Sequence, residues 1–488
     1  MVSFAATAVF LAIASATAPS PPPSPPLRGG EGEAWNDPTP PPAARVGLPS
    51  TPARAGGEGQ GEGAIAEMPL DGALAELDRQ NLGLAQARSR AEEARAVEGQ
   101  VSAQLVPSLS AQASYVRNSD AAGISIGPPI VPVPRSVVIQ PLEQKSVGGA
   151  VRIPLVVPSA WFEVRAARSG AWAADASAEA VRLQLRAGFA QAAHGARAAE
   201  EVVVASERAV DIAAEHARSA DRRVAAGIAA PLDALRARTE QVRRESDLVR
   251  ARAELERARL ALGILLGREG PVRILVPEPA ASGAPSPSRP ASGGEGPAEG
   301  DVRSLTPGAL TRRPEVRAQR ALVEAALEQV RAARARLVPQ LSASGSAFAS
   351  DVPYPTGERD GWRATVDLSW AIFDGGLREA RQRQARAQLA TAEAAAAAQR
   401  LAVVQEVADG ARDLAVARER LRLAETQRKL ASDAAESARR SFEAGVASSL
   451  DVIDANDRLY QADVGLADGK ARVAQGAVGL ERALGRSP

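Results

Sequence analysis

Between Trp362 and Ile372 the chain alternates. Trp362, Ala364, Val366, Leu368, Trp370 and Ile372 fall on one side of an extended segment, and Arg363, Thr365, Asp367, Ser369 and Ala371 on the other. Period-two patterning of this kind predicts a strand with one apolar face over 361–373. The run 338–349 alternates as well, with Ser342, Ser344 and Ser346 on its polar side. An earlier and weaker counterpart is Val147, Gly149, Val151, Ile153, Leu155 and Val157, in which Pro154 is awkward for a central strand. A different period follows. Val404, Val407, Ala411, Leu414, Ala417, Leu421 and Ala424, then Ala431, Ala435, Ala438 and Phe442, recur at steps of three and four, with Arg428 as the one break. That spacing predicts a coiled-coil seam whose small residues let helices approach closely. The span 375–443 holds no proline. At 1.5 Å per residue, roughly 69 helical residues run about 100 Å, longer than globular domains usually accommodate.

The same order of elements occurs twice. Leu105-Val106-Pro107-Ser108-Leu109-Ser110-Ala111 pairs with Leu337-Val338-Pro339-Gln340-Leu341-Ser342-Ala343, and Gly195-Ala196-Arg197 with Gly410-Ala411-Arg412. Gly227 followed by Leu232-Asp233 pairs with Gly445 followed by Leu450-Asp451, and Leu266-Gly267 with Leu484-Gly485. Matches in one order at nearly constant offset indicate an internal repeat. Each unit reads helix, strand, strand, long helix, helix. In the second unit these are a helix over 306–337, the two strands, the long helix 375–443 and a last helix 449–484. The predicted organisation is a signal peptide over 1–18, a Pro/Gly-rich disordered segment over 19–66, a first repeat over 67–275, a linker over 276–302 and a second repeat over 303–485.

Composition sharpens this picture. Hydrophobic residues make up 45% but aromatics only 3%, so alanine carries much of the apolar content and long, closely packed helices are favoured over a large aromatic core. With 59 basic and 58 acidic residues the chain has no electrostatic footprint for nucleic acid. The absence of cysteine excludes disulfides, thiolate metal sites and a lipidated N-terminal cysteine. No segment after the start is apolar for the ~20 residues of a membrane-spanning helix. Strands remain a route into a bilayer, with Trp362, Val366, Leu368 and Trp370 as the lipid-facing set. A half-buried soluble sheet shows the same alternation. A membrane barrel has no open edge and bacterial ones have at least ~8 strands, so four strands per chain require an oligomer.

Three stretches resemble the TolC family of outer-membrane efflux and secretion channels. They are RAARARLVPQLSASGS (331–346), GWRATVDLSWAIFDGGLREARQRQARAQLATAEA (361–394), with its Phe-Asp-Gly-Gly turn at Phe373 to Gly376, and SFEAGVASSLDVIDANDRLYQADVGLA (441–467). The resemblance implies a mainly α protein with a transmembrane β-barrel: a homotrimer whose twelve-stranded barrel, four strands per chain, sits in outer-membrane lipid above a long coiled-coil α-helical barrel in the periplasm. It implies a passive export duct of a tripartite efflux or type I secretion system, with a periplasmic adaptor protein and an inner-membrane transporter as partners, and no cofactor.

The resemblance also assigns residues. Asp451 and Asp454, on one helix face, would ring the lumen at a closed entrance, where threefold rings of acids attract cations. Simple capping of the returning helix by Ser448 or Ser449, with Asp451 in its first turn, accounts equally for the pattern. Gly227 and Gly445 would be tips that meet an adaptor, and they also suit helix ends with positive φ. In the family the residue matching Asp233 joins a polar lock with a tyrosine and an arginine of the other tip. Those positions hold Phe442 and Ala447 here, so a closed state must be held otherwise, with Arg439, Arg440, Arg222 and Arg223 as candidates. His194 and His216, the only histidines, fit surface or packing roles, and no nucleophile–base pair, phosphate loop or metal-ligand cluster is evident. An enzyme is therefore not expected. The competing reading is a periplasmic adaptor or coiled-coil scaffold, which would carry one helical hairpin rather than two.

Overall fold

The structure, a computed structural model, describes residues 66–126, 135–277, 299–353 and 358–487. The expected signal peptide, almost all of the Pro/Gly-rich segment and most of the linker lie outside the described residues. The elements of the first repeat are β1 (Ala66–Pro69), α1 (Leu70–Gln80), α2 (Leu82–Ser102), β2 (Ser108–Arg117), β3 (Ala122–Ile126), β4 (Arg135–Gln140), β5 (Glu143–Val156), α3 (Pro158–Ala225), α4 (Pro231–Leu265) and β6 (Val272–Leu275). Those of the second are α5 (Glu299–Arg312), α6 (Pro314–Ala335), β7 (Gln340–Ser350), β8 (Asp360–Ser369), α7 (Leu377–Glu443) and α8 (Ser449–Ala483).

The expected four strands form one antiparallel sheet in the order β2-β5-β7-β8, two from each repeat. Its register sorts the side chains into two faces. Val151 opposes both Leu109 and Gly345, and Ala343 opposes Ile153 and Val366, so one face is apolar across all four strands. The other face carries Ser114 against Ser146 (Oγ to Oγ, 2.7 Å) and Ser344 against Thr365 (2.7 Å). Three details of the expected alternation are corrected. Pro154, which has no N–H to donate, sits at a register shift between Pro154 and Val156, so beyond it Val156 rather than Leu155 opposes Leu341. Val157 falls outside the strand, which ends at Val156. The second strand stops at Ser369, so Trp370 lies beyond it. Its indole N–H donates to the carbonyl of Leu337 (3.1 Å).

The long helices form as expected. α3 has 68 residues and α7 has 67, each about 100 Å at 1.5 Å per residue. Pro158 at the start of α3 supplies the fixed φ of a first turn. The seam of α7 is built from Val403, Val407, Leu414, Ala417, Ala431, Ala435 and Phe442. It starts at Val403, not Val404, which is half-exposed. Arg428, the break, reaches Asp463 on α8 (3.0 Å).

The helix expected over 306–337 is two helices, α5 and α6, separated at Arg313 because Pro314 begins a new one. The first repeat breaks in the same way at Asn81, whose side chain accepts from Leu84 N (3.0 Å) and donates to Leu265 O (2.8 Å). Matched cores close around these breaks: Leu74, Leu77, Phe189, Leu262 and Leu266 in the first repeat, and Val316, Val403, Val407, Ala483 and Leu484 in the second. The pairing of β1 with β6, parallel and four residues long, and the β3–β4 hairpin were not anticipated from the sequence.

Candidate functional site

Two helical turns end the molecule opposite the sheet. In the first, α3 stops at Ala225, Gly227 turns the chain at φ 74°, and α4 restarts with Pro231 at its first position. In the second, α7 stops at Glu443, Gly445 turns at φ 80°, and Ser448 caps α8. Both glycines stand in the left-handed region, where any Cβ is strained. Gly227 donates to Val224 O and Gly445 to Phe442 O, each at 3.0 Å.

Asp451 completes a capping box. Its Oδ2 accepts from Ser448 N and Ser448 Oγ (2.8 Å each), and its own N–H donates back to Ser448 Oγ (3.3 Å). The Ser448 hydroxyl and N–H hold this carboxyl below the usual aspartate range. Asp454, one turn on, is exposed and pairs with Arg458 at 2.8 Å. Asp233 lies in the first turn of α4, 3.9 Å from Arg236. The structure thus brings Asp451 and Asp454 together on one helix start and sets Asp233 on the neighbouring one.

The two tips are tied across α3 and α8. His216 of α3, buried, shares a hydrogen bond with Ser449 Oγ (Nε2 to Oγ, 2.9 Å), and its ring meets Phe442 edge-on with centroids 5.0 Å apart. Burial pushes the His216 imidazole below its ordinary range, and the Ser449 hydrogen bond and the Asp233 charge oppose the shift. Arg223 lays its guanidinium over the Phe442 ring (4.4 Å) and donates to the Phe442 carbonyl. Of the four arginines proposed from sequence to replace the missing lock, Arg223 is the one that crosses. Arg439 and Arg440 pair within α7, with Glu443 and Glu436, and Arg222 is exposed.

Further from the tip, Arg244 of α4 is 3% exposed and holds Glu240 (2.6 Å), Asp247 (3.3 Å) and Asp457 of α8, with its guanidinium 4.8 Å from the Tyr460 ring. Tyr460 in turn shares a hydrogen bond with Ser206 of α3 (3.1 Å). Sequence reasoning missed this cluster. Its signal was the spacing Ala237, Arg244, Ala251: a charge standing on an otherwise small, apolar seam. Higher still, Gln191 and Gln475 each donate to the other's backbone carbonyl (3.4 and 3.1 Å).

At the sheet end, Trp362, Val366 and Leu368 are all strongly exposed on the apolar face, and Trp370 is exposed just beyond it. β2 and β8 are open edges of the sheet. Among the described residues no cluster of three or more His, Asp or Glu side chains is placed to hold a metal ion, and no helix is long and apolar enough to cross a membrane.

Comparison with known proteins follows this geometry. The family described as outer membrane efflux protein matches residues 73–268 and 305–486, the two repeats almost end to end. The cobalt-zinc-cadmium resistance protein CzcC of Cupriavidus metallidurans is 30% identical over 317 residues, covering 64% of this chain and 70% of CzcC. Protein CyaE of Bordetella pertussis is 33% identical over 183 residues, 37% of this chain and only 38% of CyaE. The crystal structure of the outer membrane protein VceC from Vibrio cholerae superposes with a TM-score of 0.69 at 20% identity, covering 86% of this chain and 96% of that one.

Proposed function

Because this chain belongs to the outer membrane efflux protein family, we propose that three copies join into one passive export duct, the sheets completing a barrel in the outer membrane and the helices a tube into the periplasm. The sheet carries this reading. It has one apolar face with exposed Trp362, Val366 and Leu368, and its two unpaired edges cannot stand in hydrocarbon. Twelve strands from three chains remove those edges. The helices α3 and α7, about 100 Å long, then have the reach a periplasmic passage needs.

The chain binds no cofactor and performs no chemistry in this reading; energy for export comes from an inner-membrane transporter coupled through a periplasmic adaptor. Gly227 and Gly445 mark the turns the adaptor meets. Asp451 and Asp454, repeated by threefold symmetry, set acidic rings at the entrance, with Asp233 on the adjoining helix. Asp451 serves its capping box and the ring together. Arg223 and the Arg244 cluster, joining the α3–α4 hairpin to the α7–α8 hairpin, take the place of the polar lock that Phe442 and Ala447 do not supply.

Purification in detergent followed by conductance in planar bilayers tests this. A three-chain particle that conducts, and whose block by multivalent cations weakens in Asp451→Ala/Asp454→Ala, is expected. A monomer that stays dissolved without detergent overturns the duct, and unchanged block removes the two acids from the entrance.

A further inference from the structure

Within the four strands the polar face of the sheet carries three charged side chains: Arg152 on β5, and Arg363 and Asp367 on β8. Arg152 stands on one rung with Ser108, Ser344 and Thr365, and Arg363 on the next with Ser346 and Ala150. Both arginines are exposed, and neither side chain has an ion pair or hydrogen bond among the described residues. That sets them apart from helical arginines such as Arg168, Arg259 and Arg458, each held by a carboxylate at 2.7–2.9 Å. Asp367 pairs with neither. Its Oδ2 accepts from the Thr365 hydroxyl (3.1 Å), which is itself 2.7 Å from Ser344 Oγ.

We propose that this face is an anion-binding band inside the barrel, which takes solutes bearing two or more carboxylate or phosphate groups. The proposal rests on the reading that three copies close one barrel with the apolar face to lipid, and it gives the wall of that passage a ligand.

The sheet order spaces the arginines evenly. In the order β2-β5-β7-β8, β5 and β8 are two strands apart, and β8 of one copy is two strands from β5 of the next. Every second strand of the closed barrel therefore carries one arginine, and the guanidinium groups outnumber the Asp367 carboxylates two to one. Strands about 4.7–4.9 Å apart and tilted by about 35–45° give a twelve-stranded barrel a backbone radius of roughly 11–13 Å. Long side chains aimed inward from that radius stand within about a Debye length of one another, roughly 8 Å at physiological salt, so their charges add. The wall behind them is hydrocarbon. A passage lined by one sign of charge with low-dielectric walls focuses the field and raises the local concentration of counter-ions. Guanidinium forks match the oxygen pairs of carboxylate and phosphate groups, and arginines spaced around a bore engage two such groups of one solute. Ser108, Ser344, Ser346 and Thr365 supply hydroxyls on the same rungs. The sign is opposite to that of Asp451 and Asp454 at the tip.

Full-length protein added to one chamber of a planar bilayer inserts sheet first, because its charged helices do not cross hydrocarbon, so the barrel opens to the other chamber. Tripolyphosphate in that opposite chamber is expected to block the wild-type current. Arg152→Gln/Arg363→Gln is expected to raise the blocking concentration by about tenfold or more and to shift permeability in a salt gradient towards cations. Arg117→Gln removes the same charge from the apolar face of β2 and is expected to leave the block as it is. If the double variant does not assemble, each single glutamine variant carries the test, with an expected loss of about threefold. A conducting three-chain particle without block from the barrel side, or equal block in wild type and the double variant, overturns the band and leaves the duct standing. Block weakened as much by Arg117→Gln as by the double variant overturns it too. A one-chain particle overturns both.

Discussion

The two repeats share a backbone plan and differ in how they spend their polar residues. Gly227 corresponds to Gly445 and Asp233 to Asp451, so the same offset pairs Ala230 with Ser448 and Arg244 with Ala462. α8 begins with a capping box at Ser448, whereas α4 begins with Pro231 and no side-chain cap. Ala462 is simply buried, while Arg244 is buried and reaches out of its own repeat to Asp457. The turn and the seam are therefore what duplication kept. One repeat became the better-capped hairpin, and the other took the arginine that ties the pair together.

The sharpest break of that asymmetry is Arg244→Ala. Removing one partner of a buried ion cluster costs about 3–5 kcal/mol, because the remaining carboxylates lose their counter-charge. Thermal unfolding should show this loss, and Arg244→Met should recover part of it. A loss below 1 kcal/mol would make the tie incidental. Next, an arginine at Val366 or Val151, one from each repeat, should each cost about 2–4 kcal/mol at mid-bilayer, read as loss of protein from the outer-membrane fraction. A loss confined to Val366 would show that only the second repeat's strands meet lipid.

Smaller effects test the caps. Ser448→Ala should destabilise by about 1 kcal/mol, and Ala230→Ser, which places a serine three residues before Asp233, should stabilise by about 0.5 kcal/mol through a second capping box. The smallest is a pH effect. Burial lowers the His216 imidazole, so the unfolded chain takes up its proton first. Stability is then greatest above the ordinary histidine range, about 6.5, and falls as pH drops below it. His194 is lowered by burial as well, so His216→Gln should remove part of the slope and His194→Gln the rest. An unchanged slope in His216→Gln would free the His216–Ser449 contact from any role in it.

Much of this was legible in the sequence because it is periodic. The repeat, the long helices, the strand 361–369 and the tip glycines all follow from spacing, and spacing survives without tertiary context. What escaped depends on partners far along the chain. β1 and β6 are too short to alternate visibly and exist only because residues 66–69 and 272–275 meet. The break at Arg313 was masked because the heptad pattern continues through it, although Pro314 marked it. The bulge at Pro154 shifted a face by one residue, which alternation alone cannot register. Arg223, Arg244 and Tyr460 cross between helices, and a long side chain's destination is not written in its own helix.

The matched interruptions at Asn81 and Arg313 have a mechanical corollary. α3 and α7 are unbroken rods from sheet to tip, whereas the columns beside them are assembled from shorter pieces that meet at mid-height. Bending stiffness is thus unequally shared: two columns behave as struts and the others as articulated links. A torque applied at the turns finds an unbroken helical path to the strands only along the struts; along the other columns it must cross the packed interruptions at mid-height.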